Sequence, residues 1–138
     1  MTKDRTKLED IRLHVGMRGA EAEVVLSRMG VQITGEEKSA GGREIDVLRC
    51  VANATSKAIA QFYHDLILIV DDVKEFPIAD KKVIVVVVTV TFPDRDMDLT
   101  SAGSSLVKVG PHRACAEATL DAVNRLISKY EVDVNLED

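Results

Sequence analysis

The sequence predicts an α+β fold made of two tandem βββα units, with the sheets covered by two helices. Three observations carry that reading. Segments of alternating or β-branched apolar residues come in two sets of three. Each set is followed by a segment whose apolar residues recur at spacings of three and four. The two helical segments also match each other residue by residue at a fixed offset. Length and composition agree: 138 residues, 46% apolar and 30% charged, suit one ordinary core and lie far from a disordered composition.

Residues 1–10 are polar and mixed in charge and read as a flexible lead-in. The first unit spans 11–64. Ile11-Arg-Leu-His-Val15 alternates with period two, Glu21–Leu26 forms a second strand, and Val31–Thr34 alternates again. Met29-Gly30 is the hairpin between the last two, and Gly35–Gly42 reads as a loop. Glu44–His64 then places Leu48, Val51, Thr55, Ala58, Ile59 and Phe62 on one helical face, with Glu44 and Asp46 at its positive end.

The second unit spans 65–127. Leu66–Ile78 reads as a long strand, bent or interrupted at Asp71-Asp72, and Ala79–Lys82 is a turn. Val83–Phe92 is nearly all β-branched, the composition of a central strand covered on both faces or of a broad interface. Pro93–Asp98 is a polar turn and Leu99–Val109 a strand softened by Gly103. Gly110-Pro111 opens a last helix that runs to Ile127, with Pro where a missing N–H costs nothing. Residues 128–138 read as a polar tail.

The repeat is sharpest in the helices. Arg49-x-x-Ala52-x-Ala54-Thr55-x-x-Ala58 matches Arg113-x-x-Ala116-x-Ala118-Thr119-x-x-Ala122 at an offset of 64, and Ile59 falls on Val123. Ala-rich helices inflate such matches, yet the order of strands repeats as well, which favours duplication.

Two βββα units whose last helix reads Glu117-Ala-Thr-Leu-Asp-Ala-Val-Asn-Arg125 resemble the C-terminal regulatory domain of 2-isopropylmalate and citramalate synthases. The matching parts are Ala118-Thr119-Leu120-x-Ala122 and Asn124-Arg125, and the resemblance covers roughly 11–127. It implies a dimeric module that binds a feedback amino acid where its two units meet. The family joins this domain to a catalytic barrel; here regulation is expected to act on a separate polypeptide. The first helix starts through Ala40-Gly41-Gly42-Arg43 in place of the family's Gly-x-Gly-Pro.

Candidate chemistry concentrates where the helices begin. Gly110, Pro111, His112 and Arg113 combine free backbone N–H groups, an imidazole and a guanidinium, a set that suits a carboxylate or phosphate. Gly41, Gly42 and Arg43 offer similar parts at the first helix, and Arg49 is the repeat counterpart of Arg113. The plainer reading is ordinary helix punctuation with solvated arginines. Asp94, Asp96 and Asp98 alternate as in a calcium loop, but Leu99 and Ser105 stand where that loop needs Gly and Glu, so no metal is expected. His14, His64 and His112 are scattered, and Cys115, three residues after His112, aligns with the apolar Val51. Ser101–Ser105 lacks the Lys of a phosphate loop. No nucleophile–base set emerges, so the expected function is non-catalytic and without a cofactor.

Eighteen Lys plus Arg against 23 Asp plus Glu, and 4% aromatics, argue against nucleic acid. Two cysteines and a polar N-terminus without an apolar signal region place the chain in the cytoplasm, away from membranes. The expected partners are a second copy of the chain, because the Val83–Thr91 run would leave a monomer apolar outside, and a small carboxylate or amino acid. The alternative is a dimeric scaffold that docks a separate protein and holds no small ligand.

Overall fold

Two-residue turns between alternating segments build the first sheet. In the computed structural model, which describes residues 6–63, 66–93 and 96–137 with side chains through Ser128, β1 (Lys7–Gly16), β2 (Gly19–Arg28) and β3 (Val31–Ser39) pair antiparallel in sequence order. Met29 and Gly30 turn β2 into β3 with φ of 54° and 79°, the left-handed pair that matches strand twist. β4 (Ile67–Ile78), β5 (Lys81–Phe92) and β6 (Met97–Leu106) form a second sheet of the same order. Each sheet is followed by a helix, α1 (Glu44–Ala60) or α2 (Pro111–Glu137), so the βββα duplication holds.

Strand pairing extends the repeat beyond the helices. Val24 pairs with Gly35 in the first sheet, and Val86 with Gly103 in the second. A Cβ on Gly35 would lie 2.1 Å from the Ala54 carbonyl oxygen and 2.5 Å from the Ala58 nitrogen. On Gly103 it would lie 2.1 Å from the Ala118 oxygen and 2.3 Å from the Ala122 nitrogen. Both glycines therefore bring strand backbone against the small-residue face of a helix, where Ala54, Ala58, Ala118 and Ala122 are fully buried. Thr55 and Thr119, also buried, donate to the carbonyls of Val51 and Cys115 one turn back, at 2.7 and 2.8 Å.

Bulges repeat too. The ladder skips between Leu8 and Asp10 in β1 and between Val70 and Asp72 in β4, so Asp10 and Asp72 hold equivalent places. The offset between halves is 62 in β1 and β2, 68 in β3 and 64 in the helix. The jump has a structural cause. The β5–β6 hairpin continues six residues beyond Val86 to Phe92, against four from Val24 to Arg28, and its turn is longer.

The core lies between the sheets and the helices. Val24, Leu26, Leu48, Val51, Val73, Ile84, Val86, Val88, Val90, Phe92 and Val123 are buried in one cluster. α1 packs on β2 and β3, on α2 and along β4; α2 packs on β5, β6 and α1, and touches β1 only lightly.

Several boundaries differ from the sequence reading, among them β6, which is Met97–Leu106 in place of Leu99–Val109. β1 starts at Lys7, inside the expected lead-in, while residues 1–5 lie outside the described residues. β3 continues to Ser39, where a loop from Gly35 was expected: Gly35 is a helix contact inside a strand, and the ladder runs on to Ser39 opposite Ala20. α1 stops at Ala60, and His64 lies outside the described residues. α2 continues to Glu137 where a polar tail was expected, since 112–137 holds no Gly or Pro to end it.

Candidate functional site

The two helix starts, alike in sequence, are used differently. At α1, Arg43 is the residue before the first turn and Asp46 closes it. The Asp46 carboxylate accepts from the Arg43 backbone N–H at 3.2 Å and pairs with the Arg43 Nε at 2.9 Å. That hydrogen bond holds Asp46 below the usual carboxylate range and raises Arg43. Gly41 sits against the same carboxylate, since a Cβ there would lie 2.2 Å from its Oδ2. Gly42 faces the Gly16 carbonyl oxygen. The positive end of α1 is thus occupied by its own side chain.

At α2 the first turn carries no acidic residue. Gly110 accepts from Ala114 N–H at 3.2 Å, and Pro111 starts the helix. Val109, Gly110, His112 and Arg113 line a cleft of about 280 Å³ whose other wall is β1, through Asp10, Ile11 and Leu13. His112 is half-buried and Arg113 exposed, with the Arg113 Nε 3.1 Å from the Glu117 carboxylate. Across the cleft, the Asp10 carboxylate accepts from Ile11 N–H at 2.9 Å and pairs with Arg12 at 3.2 Å.

Pseudo-symmetry makes this cleft informative. The equivalent junction in the other half lies between α1 and β4, where Arg49 pairs with Asp72 at 3.3 Å. Arg49 and Asp72 are the repeat counterparts of Arg113 and Asp10. One junction is bridged by an exposed Arg–Asp pair. In the other, the same two residues are turned to neighbours on their own elements and line an open cleft.

The structure thus brings Gly110, His112 and Arg113 together at the cleft, with Pro111 starting α2 between them, and leaves Gly41, Gly42 and Arg49 elsewhere. Sequence reasoning missed the β1 wall, because no pattern in one strand tells which helix it will face. The signal that could have found Asp10 is its shared place with Asp72, hidden by the change of offset.

A wider depression of about 610 Å³ lies at the β1–β2 turn, where His14, Arg18, Glu21 and Lys38 are all exposed and Lys38 pairs with Glu21 at 3.4 Å. Among the described residues no three His, Cys, Asp or Glu side chains group as metal ligands, and Asp94 of the alternating carboxylates lies outside them. Cys115 donates to the Leu48 carbonyl at 3.2 Å, and burial pushes its thiol up to about 12, so it is a core residue. No described helix is long and apolar enough to cross a membrane. No protein-family model matches the sequence, and no curated protein matches it.

Proposed function

We propose that the chain is a non-catalytic, cytoplasmic regulatory module that works as a dimer and binds a small carboxylate or amino acid in the α2–β1 cleft. The observation that carries this reading is the broken pseudo-symmetry: a junction bridged by Arg49 and Asp72 in one half is unbridged in the other, where the same residue types line a cleft. The N–H groups of His112 and Arg113 and the Arg113 guanidinium suit a carboxylate, while Asp10 suits an ammonium group. The resemblance to amino-acid-sensing regulatory domains supports the same class of ligand.

Thermal unfolding with and without leucine, isoleucine and related acids tests the reading. A ligand at 100 times its Kd should stabilise by about 2.7 kcal/mol. Arg113→Ala should weaken binding by about 1.5–3 kcal/mol, the worth of a charge-assisted contact, with the fold intact. Unchanged melting with every such acid at saturation would sink it.

A further inference from the structure

Each sheet turns one face to its helix and the other outward, and the two outward faces differ in kind. In the first sheet the outward rows hold Arg12, His14, Glu21, Glu23, Glu36 and Lys38, with Val25 the apolar exception on β2. Arg12 pairs with Glu23 at 2.5 Å and Lys38 with Glu21 at 3.4 Å, so that face is a solvated charge ladder. In the second sheet the register places Ile67, Ile69 and Phe76 of β4 outward, beside Thr91, Thr89 and Val83. Val85 and Val87 continue the row on β5, next to Ser104 and Ala102, and Leu106 lies beside Val83. Ile67 and Ile69 are 50% and 49% exposed, Phe76 45% and Leu106 43%. At His14, Glu21, Glu23 and Lys38 of the first sheet the second has Phe76, Val83, Val85 and Leu106, while Asp10 and Arg12 stay charged as Asp72 and Lys74; the apolar exchange is one that a purely structural demand of the unit does not produce.

We propose that this outer face of β4–β5–β6 is the two-fold interface between two copies of the chain, stacked sheet on sheet. Area supports a second copy as the occupant. Three strands about 4.8 Å apart and ten residues long at about 3.3 Å each give a face of about 14 Å by 33 Å in plan. Two such faces stacked about 10 Å apart remove on the order of 1,000 Å² from water, the lower bound of a specific dimer. Symmetry supports it as well. Among the described residues only one of the two outward sheet faces is apolar, and contact of that face with itself is the closed arrangement. Its charges are of both signs, Lys74 of β4 against Asp71, Asp72 and Asp98; the Asp71 carboxylate accepts from Thr89 on the same face and Asp72 pairs with Arg49, which leaves Lys74 of one copy to face the Asp98 side of the other. The inference rests on the dimeric part of the proposed function and not on the cleft: a dimer that binds no acid keeps it, and a monomer that binds acid overturns it alone.

Light scattering after size exclusion, on the full chain at 1–100 μM, tests it. The parent is expected at twice 15.1 kDa. Ile69→Lys with Phe76→Lys changes two half-exposed residues that a monomer can present to water, so its circular dichroism should match the parent. Its dimer Kd should rise about 100-fold or more, because four charges enter the stacked face. Gln32→Lys on the outward face of the first sheet should leave the dimer intact. A monomeric parent, or a dimer indifferent to the double change, overturns the proposal. If the double variant fails to fold, Val85→Thr, which keeps the shape and puts a hydroxyl into the stacked face, should raise the dimer Kd by about 10-fold with the monomer fold kept, and no change there overturns it equally.

Discussion

Adding one methyl group to Gly103 should cost stability, although the same change elsewhere in a strand should add to it. Gly103 has no left-handed φ, so Ala can adopt its backbone, and shedding unfolded-state entropy alone would stabilise by about 0.4–1 kcal/mol. The new Cβ, however, would stand 2.1 Å from the Ala118 oxygen, 2.3 Å from the Ala122 nitrogen and 2.9 Å from the Ala122 Cα. These are backbone atoms, and no side chain can swing aside. Relief needs β6 and α2 to separate by about 1 Å along a fully packed seam, at a cost of about 1–3 kcal/mol or more. The net expectation is a loss of about 2 kcal/mol, or roughly 8 °C in Tm at about 4 °C per kcal/mol for this length. Gly35→Ala should lose a similar amount, because its Cβ meets Ala54 and Ala58 at 2.1–3.0 Å. Gly30→Ala is the control: nothing lies within 4 Å, and only its φ of 79° is strained, at about 1–2 kcal/mol. Urea unfolding followed by circular dichroism, at one fixed protein concentration, gives the three values. If Gly103→Ala and Gly35→Ala match or exceed the parent, the close approach of strand and helix, and with it the structural basis of the repeat, is wrong.

Arg49→Ala removes an exposed pair and should lower stability by at most about 1 kcal/mol, leaving the affinity for a small acid unchanged, whereas Arg113→Ala should weaken it; equal effects in calorimetry would erase the distinction between the two junctions. Asp46 is held low in the fold, so its contribution is present above the unfolded carboxylate value of about 3.9 and lost as pH falls through the lower folded value. Asp46→Asn should therefore flatten the acid side of the stability profile, as read by melting between pH 2 and 6. Cys115 behaves in the opposite sense: with its thiol raised to about 12, folding favours the protonated form, and that contribution fades as pH rises from the ordinary thiol value of about 8.5 towards 12. A thiol reagent at pH 8 should leave Cys115 unmodified in native protein and label it within minutes in 8 M urea.

The helix repeat was legible because both helices meet the same demand. A face that lies against strand backbone accepts only small residues, and Ala54, Ala58, Ala118 and Ala122 record that in the sequence. The β-branched run Val83–Phe92 announced a central strand covered on both faces or a broad interface; the strand is central, but the chain buries only one of its faces, through Ile84, Val86, Val88, Val90 and Phe92, and leaves Val83, Val85 and Val87 partly exposed. Gly35 was misread for a physical reason: glycine marks a turn in one dimension, but here it marks a contact that only the partner helix reveals. The extension of α2 past Ile127 was missed because polar composition says what a segment faces and not whether it is helical. Of the candidate site, the Gly110–Arg113 half was visible from its residue types and the Asp10, Ile11 and Leu13 half was not.

Periodicity, small-residue spacing and β-branched runs are local consequences of burial, and they determined the class of fold, the duplication and the central place of the Val83–Phe92 strand. Which helix start stays open was decided only in three dimensions. Arg49 and Arg113 sit at the same place in matching sequences, yet one pairs across to Asp72 on β4 and the other turns back to Glu117 on its own helix. The physical reason is that the two halves do not pack alike: α1 lies along β4, while α2 barely reaches β1. An ion pair needs its partner within about 4 Å, and the space left where none arrives is the cleft.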